Sequence, residues 1–392
     1  MAKNKIVKQV FIYIVMLAAV ASAGVLYKQT LLQQIRNIVM TVIGMSGIFF
    51  RIRQIDIEKQ NDLLCLYIDK FYLWFICGII LSVSFPLLPA NGWPYPVLAV
   101  ILALFSDSLI GILSVALFTF ISVTLAGADF ATFYLYFASS TISVILFQKL
   151  DEEYKVYIPI LVSELAIILS TTAEIILLDA GNLTIESFII PIINVFITII
   201  FYLIFLKYYS VSIIHKYRDK YMMITDQEYS LMVDLKTKSK EAYYHAIHTA
   251  YFSNKIATAT GCNTVLAKAG AYYHRLGDFC DTKDLQTYEN LLQTNEFPPD
   301  LCRLLLSYNA KNRAIIGKEM TIIYFSDAVV SAIMYLFQNN PTMEVDYGQV
   351  INTIFDKKIA SGVLNKCELS MCEMNKMKSI FKEEKLYYDF LR

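Results

Sequence analysis

The chain has 392 residues, 56% of them hydrophobic and 17% charged, and its 34 basic residues are balanced by 34 acidic ones. A net charge of zero argues against the basic surface with which proteins bind nucleic-acid polymers. None of the seven cysteines belongs to a C-x-x-C pair. Their spacing therefore argues against a zinc or disulfide framework and indicates small apolar side chains in a reducing compartment.

The first half of the chain is strongly apolar, and between Phe71 and Gln148 only Asp107 and Asp129 are charged. Apolar runs of about 20 residues can cross a bilayer, so this half predicts a polytopic membrane protein with lipid as a partner. An even number of spans and the basic residues of alternate loops place both termini in the cytoplasm. The eight predicted spans are Val10–Leu26, Ile35–Phe50, Tyr72–Leu88, Tyr95–Phe105, Leu109–Ala126, Thr132–Phe147, Val156–Leu178 and Phe188–Phe205.

The N-terminus has the polarity of a signal peptide, and Ala21-Ser22-Ala23 resembles a cleavage site. The spans that follow favour an uncleaved anchor instead. We therefore divide the chain into an N-terminal membrane anchor (1–34), a polytopic membrane domain (35–207), a juxtamembrane linker helix (208–240) and a soluble domain (241–392).

Glu164 lies near the middle of the seventh predicted span. An ionisable side chain inside a bilayer is a functional candidate because it is costly to place there. Glu174 is ten residues further along, which does not put the two carboxylates on one helical face. We therefore favour a neutral, hydrogen-bonded glutamate in the bundle interior over a pore or a proton path.

The soluble half predicts helices and no strands, so the expected fold class is all-α: a transmembrane helical bundle followed by an all-α domain. Capping-box spacing predicts helix starts at Thr225–Glu228 and Ser370–Glu373. Other predicted helices, from apolar periodicity and cap residues, are Glu241–Thr260 before Gly261, Val265–Arg275 after the cap residue Asn263, Pro298–Leu306 and Thr321–Phe337.

The chain has only four histidines, and His245 and His274 lie on two different predicted helices of the soluble half. Asp327 lies on a third helix. Three helices of a bundle can bring such side chains together around a divalent metal. From spacing alone, a buried histidine bonded to a carbonyl oxygen is the default alternative.

Five segments in order extend this interpretation: Ala242–Ile247, Thr260–His274, Phe297–Ala310, Ser326–Val329 and Leu369–Ser370. Together they resemble the seven-transmembrane HD phosphohydrolases, which are bacterial cyclic-di-AMP phosphodiesterases, and the resemblance runs from about Pro94 to the end. It implies a protein of the bacterial cell membrane that carries an HD-like domain in the cytoplasm. It also implies that His245, His274 and Asp327 stand at the positions of metal ligands.

The departures from this family all affect the metal site. Arg275 replaces the aspartate of the HD pair, Asp278 replaces a lysine, and Tyr308 and Asn309 replace paired histidines. The connection after His274 is shorter and lacks a histidine, and the large extracytoplasmic sensor is missing. The resemblance thus implies one divalent ion (Mn or Fe) on the three remnant ligands, or none, and it assigns no catalytic residue.

Arg275 brings a positive charge to a metal position. Two unit charges 4 Å apart repel by about 4 kcal/mol at an effective dielectric of about 20, and a divalent ion doubles that figure. One interpretation pairs Arg275 with Asp278 at i, i+3. The other makes Arg275 a phosphate-binding residue, with Asn309 as a second ligand-binding candidate.

These observations predict a membrane-anchored, catalytically impaired HD-domain protein that acts in nucleotide signalling or as a regulatory module. One alternative is an active phosphohydrolase with a reduced metal site. Another is a receptor or transporter centred on Glu164. Expected partners are a cyclic dinucleotide and a second copy of the chain or an intact HD relative.

Overall fold

The computed structural model describes residues 2–58, 62–148, 156–178, 185–276, 285–310, 315, 317–340, 345–364 and 367–388. The chain divides into two compact units, residues 1–212 and 213–392. Helices dominate both units, and no strand occurs among the described residues. The prediction of an all-α fold is confirmed.

The first unit consists of long apolar helices joined by short connections. Seven of the eight predicted spans coincide with helices that are long and apolar enough to cross a membrane. An eighth helix of that length and hydropathy, Lys318–Asn339, belongs to the second unit. The helices of the first unit are α1 (Ala2–Leu26), α2 (Leu31–Glu58), α3 (Asp62–Ser84), α4 (Tyr95–Leu104), α5 (Ser108–Ala126), α6 (Phe130–Phe147), α7 (Tyr157–Leu178) and α8 (Ile189–Tyr209).

The fourth predicted span is a special case, because α4 has only ten residues. At 1.5 Å per residue it is about 15 Å long, half the thickness of a hydrocarbon core. Its residues Tyr95 to Leu102 are all buried, since α4 packs between α5 and α6. Two short 3₁₀ turns, Phe85–Leu87 and Ala90–Gly92, precede it.

Contacts near the helix ends nevertheless show that α4 and its flanking turns lead from one end of the first unit to the other. At one end, the hydroxyl of Tyr27 donates to the carbonyl of Val83. At the other end, Lys8 bonds Asp69 near the start of α3, and Arg51 lies 3.6 Å from Asp107, the residue before α5. The segment between α3 and α5 therefore joins opposite ends of the unit, as the prediction of eight crossings requires.

The second unit is a bundle of shorter helices around two apolar clusters. Its long central helix, Lys318–Asn339, contributes to both. The helices are α9 (Lys216–Ile224), α10 (Ser230–Lys238), α11 (Lys240–Thr260), α12 (Thr264–Tyr273), α13 (Leu285–Thr294), α14 (Pro299–Tyr308), α15 (Lys318–Asn339), α16 (Tyr347–Ala360), α17 (Met371–Glu383) and α18 (Lys385–Tyr388).

Three predicted helix boundaries are confirmed by their cap residues. Gly261 ends α11 with φ of 70°, a conformation that glycine adopts without strain. Asn263 caps α12 by accepting a hydrogen bond from the amide of Leu266. Ser370 and Glu373 form the reciprocal bonds of a capping box at α17.

The capping box predicted at Thr225 is wrong. The Thr225 hydroxyl donates back to the carbonyl of Tyr221, so this residue ends α9 instead of starting a helix. The amide of Glu228 bonds the side chain of Asp226, and the next helix begins only at Ser230. A hydroxyl with helix-start spacing can equally bond the carbonyl four residues before it.

The segment assigned to a linker, 208–240, provides core residues of the second unit. Ile224 and Met232 are fully buried, and Tyr221 is 1% exposed. All three belong to the cluster that also contains Tyr273 and Tyr308. Helices α9 and α10 are therefore part of the fold that positions the site.

Candidate functional site

Three helices bring the predicted metal ligands together. His245 lies on α11, His274 directly follows α12, and Asp327 lies on α15. These helices pack against one another. Gly270 allows the approach of α12, because a Cβ atom there would lie 2.6 Å from Ile323 Cδ1 and 3.0 Å from Leu304 Cδ2.

The three side chains converge on one oxygen atom. Asp327 Oδ1 lies 3.4 Å from His245 Nε2 and 3.3 Å from His274 Nε2. One potential ligand atom from each residue lies within 4.8 Å of the others, so the three form a possible His/Asp metal cluster. Both histidines are buried, at 4% and 1% exposure.

Arg275 binds the same carboxylate oxygen. Its Nη2 donates to Asp327 Oδ1 at 2.6 Å and to Ser331 Oγ at 2.9 Å. Ser331 also donates to Oδ1 at 3.3 Å, and the Tyr308 hydroxyl donates to Oδ2 at 2.9 Å. Both oxygens of Asp327 thus accept hydrogen bonds from the protein, one of them from a guanidinium.

The backbone fixes the orientation of His274. Its Nδ1 donates to the carbonyl of Ala271 at 2.7 Å, so Nε2 faces Asp327. That Nε2 is buried and makes no hydrogen bond among the described residues. His245 lies with Nε2 2.9 Å from Ser331 Oγ, which places Ser331 in contact with the histidine, the arginine and the aspartate.

The electrostatics of the site keep His245 neutral. Burial lowers the pKa of His245 to about 3, and the positive charge of Arg275 acts in the same direction. Burial alone would raise the pKa of Asp327, but its contact with His274 and the charge of Arg275 hold that pKa well below its usual range. Asp327 is therefore a carboxylate at physiological pH.

Two imidazoles and one carboxylate are a donor set that suits a mononuclear Mn, Fe or Zn ion. The arrangement of the residues does not fit such an ion, because the guanidinium of Arg275 is bound to the oxygen that the ion would need. A divalent ion would have to share that oxygen with a full positive charge, at the cost set by Coulomb repulsion. In this arrangement, the guanidinium of Arg275 takes the place of a metal ion as the cation bound to Asp327.

The two ligand-binding candidates differ in their surroundings. Arg275 is 39% exposed and can meet a ligand. Asn309 Nδ2 donates to the carbonyls of Leu305 and His274 at 2.9 and 3.1 Å. The side-chain amide thus connects the end of α14 to the end of α12 through hydrogen bonds. The pairing of Arg275 with Asp278 lies outside the described residues.

Glu164 lies in the first unit, on the buried side of α7. It is 5% exposed, and neither carboxylate oxygen has a hydrogen-bond partner among the described residues. Glu174 differs, since its Oε1 bonds the Thr132 hydroxyl at 2.8 Å. We expected a hydrogen-bonded Glu164, but none of the described residues donates a hydrogen bond to either of its oxygens.

Sequence reasoning missed two residues of the site. Ser331 follows Asp327 by four positions, and that spacing on a helix predicts a shared face. Tyr308 was counted as a lost histidine, although its hydroxyl is a hydrogen-bond donor to Asp327. The helix spacing could have identified Ser331, whereas the Tyr308 contact depends on how α14 packs near α15.

One solved structure similar to part of this chain is the crystal structure of the HD domain of the L. monocytogenes phosphodiesterase PgpH. The sequence identity is 16%, the TM-score is 0.34, and the match covers 41% of this chain and 100% of that one. A TM-score at that level does not establish a shared fold. No protein-family model and no curated protein matches the chain.

Proposed function

We propose that the chain is a membrane-anchored regulatory protein whose second unit is a degenerate HD domain. In this proposal the second unit binds a nucleotide ligand or a protein partner and does not hydrolyse phosphodiesters with metal ions. The observation that carries the proposal is the contact of 2.6 Å between Arg275 Nη2 and Asp327 Oδ1. The positive charge that a hydrolase of this kind takes from its metal is supplied here by a side chain.

The membrane location rests on the first unit. Its seven long apolar helices are compatible with a protein that spans a membrane. Basic residues cluster in alternate connections, which favours a cytoplasmic position for both termini. A bacterial cell membrane is the location implied by the family resemblance, and a second copy or an intact HD relative is the proposed protein partner.

The proposed ligand is a cyclic dinucleotide. Arg275 is partly exposed, and the hydrogen bonds described for its guanidinium both involve Nη2. Guanidinium groups match the geometry of phosphate oxygens better than ammonium groups do. Arg275 can therefore pair with Asp327 in the free protein and contact a phosphate when a ligand is present.

Calorimetry on the purified full chain in detergent tests the binding step. Titration with cyclic-di-AMP, with and without manganese, should show binding that does not require the metal. The same samples should show no hydrolysis product by chromatography. Turnover at the rate of an intact member of the family would contradict the proposal.

Metal content tests the role of Arg275 directly. Protein purified without chelator should contain manganese and iron well below one ion per chain. The Arg275→Asp variant restores a carboxylate and removes the competing cation, so its metal content should rise towards one ion per chain. Arg218→Asp, a change at an exposed arginine of α9, is the matched control and should leave the metal content unchanged.

The alternative of an active hydrolase has one observation in its favour, the convergence of His245, His274 and Asp327 within 4.8 Å. It predicts a stoichiometric metal in the unaltered chain. It also predicts that His274→Ala removes metal and activity together. Absence of bound metal in freshly purified protein would exclude it.

A further inference from the structure

The interface of α6 and α7 in the first unit carries an unusual density of buried polar groups. Ser143 meets Ser163 with their hydroxyl oxygens 2.5 Å apart, and Thr132 meets Glu174 at 2.8 Å. Ser143 and Thr132 are eleven residues apart on α6, and Ser163 and Glu174 are eleven residues apart on α7. The two helices are therefore antiparallel and keep the same pairing of positions between these contacts. Glu164 directly follows Ser163 and lies between these two contacts along α7.

The hydroxyl groups of Tyr202, Ser163 and Ser143 form a row of hydrogen bonds in which each donates to the next. Ser143 donates its proton to the carbonyl of Ser139, so it must accept from Ser163. Ser163 has then used its proton and accepts from Tyr202 of α8, whose hydroxyl lies 3.1 Å away. Each of these three protons is directed along the chain, and none remains for the neighbouring carboxylate.

Among the described residues, no lysine or arginine pairs with Glu164 either. From Val156 to Leu206 the sequence contains no lysine or arginine, and α6 contains none. The buried tyrosines of α6 and α8 are Tyr136, Tyr202 and Tyr209, and the second carboxylate of α7 is Glu174. The Glu164 side chain is 5% exposed and both of its oxygens lack a hydrogen-bond partner among the described residues.

A buried carboxylate in this position needs compensation from outside the protein. The ionised form lacks a donor or a cation, and burial of an unpaired charge is strongly unfavourable. Protonation removes the charge, but a single O–H group serves only one of the two oxygens and leaves the other without a donor. A small cation would satisfy both oxygens at once, and hydroxyl oxygens whose protons point away offer lone pairs to it.

We propose that Glu164 and the adjacent hydroxyl oxygens of Ser163 and Tyr202 form a sodium site inside the first unit. Sodium is a hard monovalent cation, and hard cations prefer carboxylate and hydroxyl oxygens. The site is separate from the cluster at Asp327 and does not depend on the function proposed for the second unit. It makes the stability of the membrane helices responsive to the sodium concentration.

Both tryptophans of the chain, Trp74 and Trp93, lie in the first unit and report on it alone. Purified full-length protein in detergent is titrated with sodium chloride against choline chloride at constant ionic strength. At a constant, mildly alkaline pH, we expect a saturable change in tryptophan fluorescence. Thermal unfolding should shift upward by about 2–5 °C at saturating sodium.

Two variants make the assignment specific. Glu164→Gln should abolish both responses to sodium, whereas the matched control Glu174→Gln should retain them, because Glu174 already has a partner in Thr132. Ser163→Ala should weaken the apparent affinity about tenfold, the loss of one coordinating oxygen. Should Glu164→Gln not fold, the titration of the unaltered protein remains decisive.

Three results would overturn the proposal. The unaltered protein shows no response to sodium beyond that to choline. Glu164→Gln responds as the unaltered protein does. Stability depends on pH through Glu164 but not on sodium, which would identify a proton as the occupant.

Discussion

Asp327 shows what the sequence can and cannot predict at the scale of single residues. The resemblance of short segments identified Asp327 and the two histidines, and the structure brings them together. The local pattern suggested Asp278 as a partner of Arg275, because helix spacing reveals only near neighbours. The contact with Asp327 joins residues 52 positions apart and depends on the packing of α12 near α15.

Tyr308→Phe tests the importance of the second carboxylate oxygen. Tyr308 is 2% exposed and donates to Asp327 Oδ2. Removal of the hydroxyl leaves a buried acceptor without a donor, which should lower the free energy of unfolding by about 1–3 kcal/mol. Tyr335→Phe, at a tyrosine that is 66% exposed on α15, should change it by less than about 0.5 kcal/mol. Equal losses in denaturant titrations of the two variants would contradict the role assigned to Tyr308.

At the scale of helices, caps were predicted well and weakly patterned segments were not. Gly261, Asn263 and Ser370 define boundaries through local hydrogen bonds, which the sequence carries directly. Helices α13 and α16 were missed, and the single linker helix predicted over 208–240 is divided into α9 and α10. Both missed helices are short, and short helices depend on tertiary packing for most of their stability.

Gly270→Ala probes how closely α12 must approach its neighbours. The added Cβ would lie 2.6 Å from Ile323 Cδ1, so α12 must move or Ile323 must change rotamer. We expect a loss of about 1–3 kcal/mol in the free energy of unfolding. On α2, a Cβ added at Gly47 would have no atom within 4 Å, so Gly47→Ala should be neutral or stabilising by up to roughly 1 kcal/mol. Thermal unfolding of the two variants side by side measures the difference.

The capping box of α17 makes its stability depend on pH. Hydrogen bonds from Lys318, and then from Ser370, lower the pKa of Glu373 from 4.5 to about 2. A carboxyl whose pKa is depressed by folding stabilises the protein above the unfolded pKa and loses that effect as the pH falls. The difference in melting temperature between the unaltered protein and Glu373→Gln should thus be constant above pH 4.5 and shrink towards pH 2.

Glu383→Gln, at the other end of α17, is the control for this pH series. Its melting temperature should follow that of the unaltered protein across the same range. A Glu373→Gln difference that persists undiminished at pH 2 would show that the carboxylate does not act through its charge.

For the whole molecule, composition predicts a membrane half followed by a soluble half. The structural division at residue 212 falls close to the predicted boundary at 207. Hydropathy could not show that α9 and α10 belong to the second unit, because amphipathic segments next to a membrane resemble linkers. Nor could it show that α4 has only ten residues, because its apolar residues are buried among other helices.

Sidedness is testable with an intrinsic thiol. Cys372 in the second unit is exposed, while Cys77, Cys262, Cys302 and Cys367 are partly buried. The charge distribution predicts that the second unit is cytoplasmic. A membrane-impermeant maleimide should therefore label Cys372 in inverted vesicles and not in right-side-out vesicles. Cys372→Ser defines the signal that belongs to this residue, and labelling with the opposite sidedness would contradict the predicted topology.

The pairing of Arg275 with Asp327 has a consequence for how the protein is made in the cell. Domains that need an ion to neutralise a buried carboxylate fold only when that ion is available. Here the compensating charge is encoded in the chain and is present as soon as the chain is synthesised. The yield of folded protein should accordingly be the same in cells starved of transition metals as in cells that are well supplied.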